Sequence, residues 1–152
     1  STQQTGMRLL MLDQVTDPHN VGAILRSTAA FGADGIIMQK KNSPGLTGAL
    51  AKVASGAVEH VPVAYEINLA RALEDLQLAG FAAFGLDEAG TALQQKDMPD
   101  KLVLVFGAEG KGLREKLKYS CNRLISLPTQ TAMPSLNVAN AAAVALYATR
   151  HV

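Results

Sequence analysis

The chain has 152 residues, 48% hydrophobic and 18% charged, with a net charge of +1; this is one domain, large enough to bury a core without disulfides or metal staples. The near-neutral balance gives no compositional case for nucleic-acid binding, so any such function must be carried by a site. One cysteine, Cys121, excludes an internal disulfide and a cysteine-based metal cluster and fits a reducing cytoplasm, while no apolar run approaches the roughly 18–20 residues of a membrane span.

In chain order, short apolar runs alternate with helical periodicity, the pattern of a mostly parallel sheet covered by helices on both faces. The start, STQQTG, lacks the basic and apolar regions of a signal peptide. Residues 1–7, beginning with Ser1, read as a disordered end or a linker from a missing amino-terminal domain. Arg8–Leu12 is a first buried strand. Asp17 and Pro18 supply an N-cap and an N1 proline for a helix that runs to about Phe31 and stops at Gly32. Gly35–Met38 is a second strand, followed by a polar loop, a short helix at Leu46–Ala54 and a short strand at Val61–Ala64. Asn68–Gln77 is an amphipathic helix with Leu69, Leu73 and Leu76 on one stripe, ended by Gly80. Phe81–Leu86 is a strand, and Asp87–Asp100 is polar with at most one helical turn. Leu102–Phe106 is the clearest strand, Gly107–Gly112 a glycine-rich turn into a helix at Leu113–Tyr119, Arg123–Leu127 a last strand and Asn137–Arg150 a last helix. A single domain, 1–152, is expected.

Three segments carry candidate chemistry. The turn from Phe106 to Arg114 places three glycines between a strand and a helix, where a ligand can approach the backbone. Its G-x-x-G-x-G spacing fails both the dinucleotide fingerprint and the phosphate loop, which disfavours a nucleotide-dependent oxidoreductase or NTPase. A tight strand-to-helix turn is the plain alternative, and Glu109, an acid inside it, is the anomaly. In the first segment, Gly22 and Arg26 share a helix face, so a guanidinium with clearance could meet a phosphate or a sugar hydroxyl. Equally, Arg26 could snorkel from an apolar helix with Asp17 and Asn20 only capping it, and His19 reads as a loop residue. In the third, polar and turn-forming residues precede a helix that is apolar almost all round, which points to burial at a subunit interface. Ser135 and Asn137 at its entrance are candidate ligand contacts or simple N-caps.

Taken in order, these segments resemble the three motifs of the SpoU/TrmH family of RNA ribose methyltransferases: Asp17-Pro-x-Asn20-x-Gly22-x-x-x-Arg26 with Ala30-Phe-Gly32, then Gly107-Ala-Glu109-Gly110-x-Gly112-Leu113, then Leu127-Pro128 with Ser135-Leu-Asn137-Val138. The likeness spans about Leu9 to Tyr147. The stretch from Ala51 to Pro62 is similar to the branch that methylates a guanosine of 23S ribosomal RNA. The resemblance implies a deep trefoil knot at the carboxyl end, an exception to the rule against threaded chains. It also implies a homodimer joined through the last helix and the knot, and S-adenosylmethionine as cofactor. No metal and no membrane is implied. Cofactor positions carry over to Gly107, Gly110, Leu127, Pro128 and Leu136, and functional side chains to Asn20, Arg26, Glu109, Ser135 and Asn137. Two features depart from the family pattern: Thr131 replaces the usual loop glycine of the third motif, and the branch's small amino-terminal RNA-binding domain is missing.

The implied reaction moves an activated methyl to a ribose 2′-oxygen of RNA. A guanidinium is a poor proton acceptor, with a pKa above about 12. Arg26 is therefore expected to orient phosphate or ribose and to stabilise developing negative charge, leaving proton removal to Glu109, a phosphate or water. The alternatives are transfer RNA as the substrate, or a non-catalytic RNA-binding module of the same fold.

Overall fold

A run such as Leu102–Phe106, apolar at every position, suits a strand covered on both faces. In the computed structural model it is a central strand of the sheet. The structure describes residues 6–40, 60–94, 98–108, 110–129 and 136–150. Among these, strands β1 (Met7–Leu12), β2 (Gly35–Gln39), β3 (Val63–Glu66), β4 (Ala82–Ala92), β5 (Lys101–Phe106) and β6 (Arg123–Ser126) form one sheet in the order β3-β2-β1-β5-β4-β6. Every adjacent pair is parallel. Helices α1 (Pro18–Ala30), α2 (Leu69–Leu78), α3 (Glu115–Ser120) and α4 (Val138–Ala148) cover it.

The two faces follow from strand alternation. Leu10, Leu12, Leu102, Leu104 and Phe106 pack with Ile24 and Leu25 of α1 and Ala142 and Leu146 of α4. Met11, Val103 and Val105 pack with Leu69 and Leu73 of α2 and Leu117 of α3. The α/β sheet with helices on both faces is as expected.

Four local expectations are corrected. Met7 belongs to β1, paired with Lys101, so the strand begins inside the stretch read as a loose end. β3 starts at Val63 rather than Val61, because Pro62 has no N–H to give the ladder; its carbonyl instead accepts from Ile36. β4 does not stop at Leu86. After an irregularity between Leu86 and Thr91 it returns along β6, where Ile125 is partner to both residues. Gly90 permits this return, since a Cβ there would lie 2.6–2.7 Å from the backbone of Leu124 and Ile125. The helix expected from Leu113 begins at Glu115, since Arg114 is extended at its N-cap. The helix expected at Leu46–Ala54 lies outside the described residues.

Arg8, in the first strand, is only 5% exposed. Its guanidinium donates to the carbonyls of Phe31, at the end of α1, and Leu146, in the last turn of α4, the latter at 2.8 Å. It also donates to the Thr149 hydroxyl at 3.0 Å. Cations suit the carbonyl-rich ends of helices, so one side chain ties both helices of this face to β1. Burial pushes the guanidinium below its ordinary range and Asp34 opposes that, but an arginine stays charged in proteins. Replacing Arg8 by Met should lower stability by about 2–4 kcal/mol, because two buried acceptors and one half-buried one lose a charged donor. Urea unfolding measures it; a loss below about 1 kcal/mol would show that water reaches those acceptors.

Candidate active site

Because all strands run parallel, their carboxyl ends share one edge, and the three motif segments leave the sheet there, after β1, β5 and β6. After β1, Gln14 turns the chain with φ +62°. The Asp17 carboxylate then accepts from the His19 N–H at 2.9 Å and caps α1, with Pro18 in its first turn. Gly22 is buried, whereas Arg26, four residues on, is exposed and has no hydrogen-bond or ion-pair partner among the described residues.

After β5 the glycine turn closes on itself. The Gly112 N–H donates to the Ala108 carbonyl at 2.8 Å. A Cβ on Gly107 would overlap backbone atoms of Gly112 and Leu113. Gly107 is thus required by the chain's own close approach. Gly110 and Gly112 have φ of +77° and +67° with open space where a Cβ would point, so they are needed for conformation alone.

One buried residue holds this turn at both ends, by its backbone N–H before the turn and by its carboxylate after it. Asp13 is fully buried just beyond β1. Its N–H donates to the Phe106 carbonyl at 2.8 Å, immediately before the turn. Its carboxylate accepts from Arg114 Nε at 2.9 and 3.1 Å and pairs with Nη2 at 2.7 Å, immediately after it. The backbone N–H of Arg114 adds a long contact at 3.4 Å, with the extended Arg114 as N-cap of the helix that starts at Glu115.

Between the glycine turn and the segments around β6 and α4 lies a cavity of about 790 Å³. Gly107, Ala108, Gly110 and Gly112 form one wall, Leu127–Thr129 and Leu136–Val138 another, and Leu86 and Ile125 contribute apolar surface. Asp87 and Glu88 add two acids and Lys111 a cation. The Ala89 N–H and the Lys118 ammonium, 3.1 Å away, hold the Asp87 carboxyl below its usual range against the opposing effect of burial. Cys121, behind Gly85, has its thiol pushed up to about 11 by burial. It is protonated at neutral pH and unsuited to nucleophilic work.

The structure brings all five expected cofactor positions, Gly107, Gly110, Leu127, Pro128 and Leu136, into the lining of this one cavity, together with Asn137. Asn137 also caps α4, accepting from the Ala139 N–H at 2.8 Å. Asn20 and Arg26 sit on α1 and are not in that lining. Glu109 and Ser135 lie outside the described residues. Asp13, Arg114, Asp87 and Glu88 were missed by sequence reasoning. For Asp13 a signal existed, an acid directly abutting a run of buried apolar residues. Among the described residues no group of histidine, cysteine and acidic side chains could hold a metal ion, and no helix is long and apolar enough to cross a membrane.

The profile of the SpoU rRNA Methylase family matches residues 7–147. The chain belongs to that family. This SpoU domain is 46% identical over 140 residues to the 23S rRNA (guanosine-2′-O-)-methyltransferase RlmB of Shewanella oneidensis, covering 91% of the chain and 57% of that protein. It is 45% identical over 148 residues to an uncharacterised tRNA/rRNA methyltransferase of Synechocystis, covering 96% of the chain and 38% of that protein. The chain therefore spans about half the length, or less, of these curated relatives. Among solved structures, the AdoMet-bound rRNA methyltransferase from Sinorhizobium meliloti superposes with a TM-score of 0.85 at 27% identity, over 97% of the chain and 56% of that one.

The two kinds of glycine in the SpoU turn separate experimentally. Gly110→Ala should cost about 1–2 kcal/mol, the penalty of a left-handed residue. Gly107→Ala should cost more, at least about 3 kcal/mol, because backbone must move. Urea unfolding of the two variants checks this; equal losses would contradict the close approach at Gly107.

Proposed function

We propose that this domain methylates a ribose 2′-hydroxyl in RNA with S-adenosylmethionine, its substrate being a guanosine of 23S rRNA. The observation that carries the reading is the gathering of the five motif positions around one cavity. The cavity fits the cofactor's chemistry. Its backbone-rich walls offer N–H and C=O groups to a nucleoside, its leucines offer apolar surface to a purine, and its two acids and Lys111 suit a ligand that bears both positive groups and a carboxylate. Gly107, Gly110, Leu127, Pro128 and Leu136 would hold that ligand. The similarity to RlmB supports the choice of rRNA guanosine.

When bound, S-adenosylmethionine supplies a methyl already activated on its sulfonium sulfur. What remains for the chain is to align the 2′-oxygen and to handle its proton. Arg26, exposed and without a partner among the described residues, suits a phosphate or ribose oxygen and would stabilise the charge that develops there. Asn20, Ser135 and Asn137 would position the nucleotide, and the 2′-proton would leave to Glu109, an RNA phosphate or water.

Three further assignments belong to the same reading. The carboxyl end forms a trefoil knot. Supporting this, β6 lies at the sheet edge while α4 packs beside α1 over β1, and β4 returns along β6 before the chain recrosses. The protein works as a homodimer: α4, apolar nearly all round, buries Ala142, Ala145 and Leu146 within the chain but leaves Val144 and Tyr147 about half exposed. Its site of action is the cytoplasm, where ribosomal RNA is made. A tRNA substrate is the second reading, favoured by the tRNA/rRNA name of the Synechocystis relative.

Methyl transfer to deproteinised 23S rRNA and to bulk tRNA separates the two readings, and transfer to neither, with cofactor bound, would favour a non-catalytic module. In the same assay Arg26→Lys should lose most turnover, about a hundredfold or more, while calorimetry shows cofactor affinity unchanged. Full activity in that variant would remove Arg26 from the mechanism.

A further inference from the structure

A buried carboxylate needs a reason. Ion pairs of this kind contribute little net stability compared with an apolar pair of the same volume, so their value lies in geometry. Asp13 stands where β1 and β5 end side by side, with α1 leaving toward one face of the sheet and α3 toward the other. In open parallel sheets that reversal is where a crevice opens. Here the Asp13 carboxylate and the half-exposed Arg114 guanidinium pair at 2.7 Å. The same residue grips Phe106 and Arg114, the two ends of the turn whose glycines wall the cavity.

We propose that the Asp13–Arg114 pair is a positioning device, a clasp that holds the glycine turn in the shape the cofactor cavity requires. Neither residue lines the cavity, so the pair acts through the turn. Gly110 and Gly112 leave that turn free to change conformation at low cost, and Asp13 fixes its ends. This inference rests on the reading of the cavity as the S-adenosylmethionine site.

The test is a double-mutant cycle in the whole chain, with Asp13→Asn, Arg114→Met and the pair together. Cofactor affinity is read by calorimetry, and amide hydrogen exchange across residues 107–113 is read without ligand. Ile36→Ala, a core truncation on β2 away from the cavity, controls for general destabilisation. Each single variant should weaken S-adenosylmethionine binding about tenfold and speed exchange in the turn, with the double variant no worse than either single. The control should bind within about twofold of the parent at a comparable loss of melting temperature. Parent-like affinity in the clasp variants, additive losses, or a loss matched by the control overturns the clasp. A loss confined to RNA binding also overturns it and makes Arg114 a phosphate contact instead. If the unmodified chain binds no S-adenosylmethionine, the cofactor reading fails by itself. The clasp is then judged on exchange alone, and unchanged exchange in the variants overturns it.

Discussion

Every neighbouring pair in the sheet is parallel, and this constraint decides where the chain can turn and where a ligand can sit. A parallel pair cannot be joined by a tight turn, so each strand that ends at the carboxyl edge must send the chain back across a face before the next begins. The loops at that edge are therefore the natural place for a ligand, and the helices on the faces serve to return the chain. Segments far apart in sequence, after Leu12, Phe106 and Ser126, become neighbours because their strands stop at one level. The cavity is the space these loops leave between them.

Two buried charges regulate this arrangement at opposite ends of β1. Arg8, at its start, gathers the carbonyl ends of α1 and α4; Asp13, just past its finish, gathers the ends of the glycine turn. Apolar packing could not do either task as specifically. A leucine in place of Arg8 would fill volume but leave helix-end carbonyls without donors, and burial makes such omissions costly. The core between them, from Leu10 to Phe106, supplies the bulk of the stability and tolerates exchange of like for like. The polar stitches set which helix end meets which strand.

This division explains which elements the amino-acid sequence makes legible. The inner strands were legible because burial on both faces demands unbroken apolar runs, and the helix starts because Asp17, Asn68 and Asn137 each carry a capping side chain. The continuation of β4 was not legible. Its residues 87–92 are largely polar and half exposed, so nothing marks them as a strand except the proximity of β6. The roles of Arg8 and Asp13 were missed for a related reason: a charge at a strand end reads by default as a solvated terminus, and although Asp13 abuts a buried apolar run, the partners of both charges are far away in sequence. The motif residues were legible as a set through their order and spacing. The cavity joins those of the second and third motifs, while Asn20 and Arg26 stay on α1 outside its lining.

That separation has a consequence for how substrate and cofactor divide the domain. A cavity walled by backbone, two acids and one lysine carries no excess of positive charge to draw a polyanion, and a net charge of +1 offers little long-range attraction to one. An exposed arginine one helix away, with no partner among the described residues, is the opposite kind of surface. On the function proposed above, keeping the two apart would let the cofactor bind in the cavity without RNA phosphates competing for the same groups. On the same reading Arg26 would meet a phosphate or ribose from outside. With a net charge of +1, such an arrangement would give this domain little electrostatic grip on a long RNA. Since the chain spans 57% of the Shewanella relative, the remainder of such a protein is where additional grip on RNA would be sought.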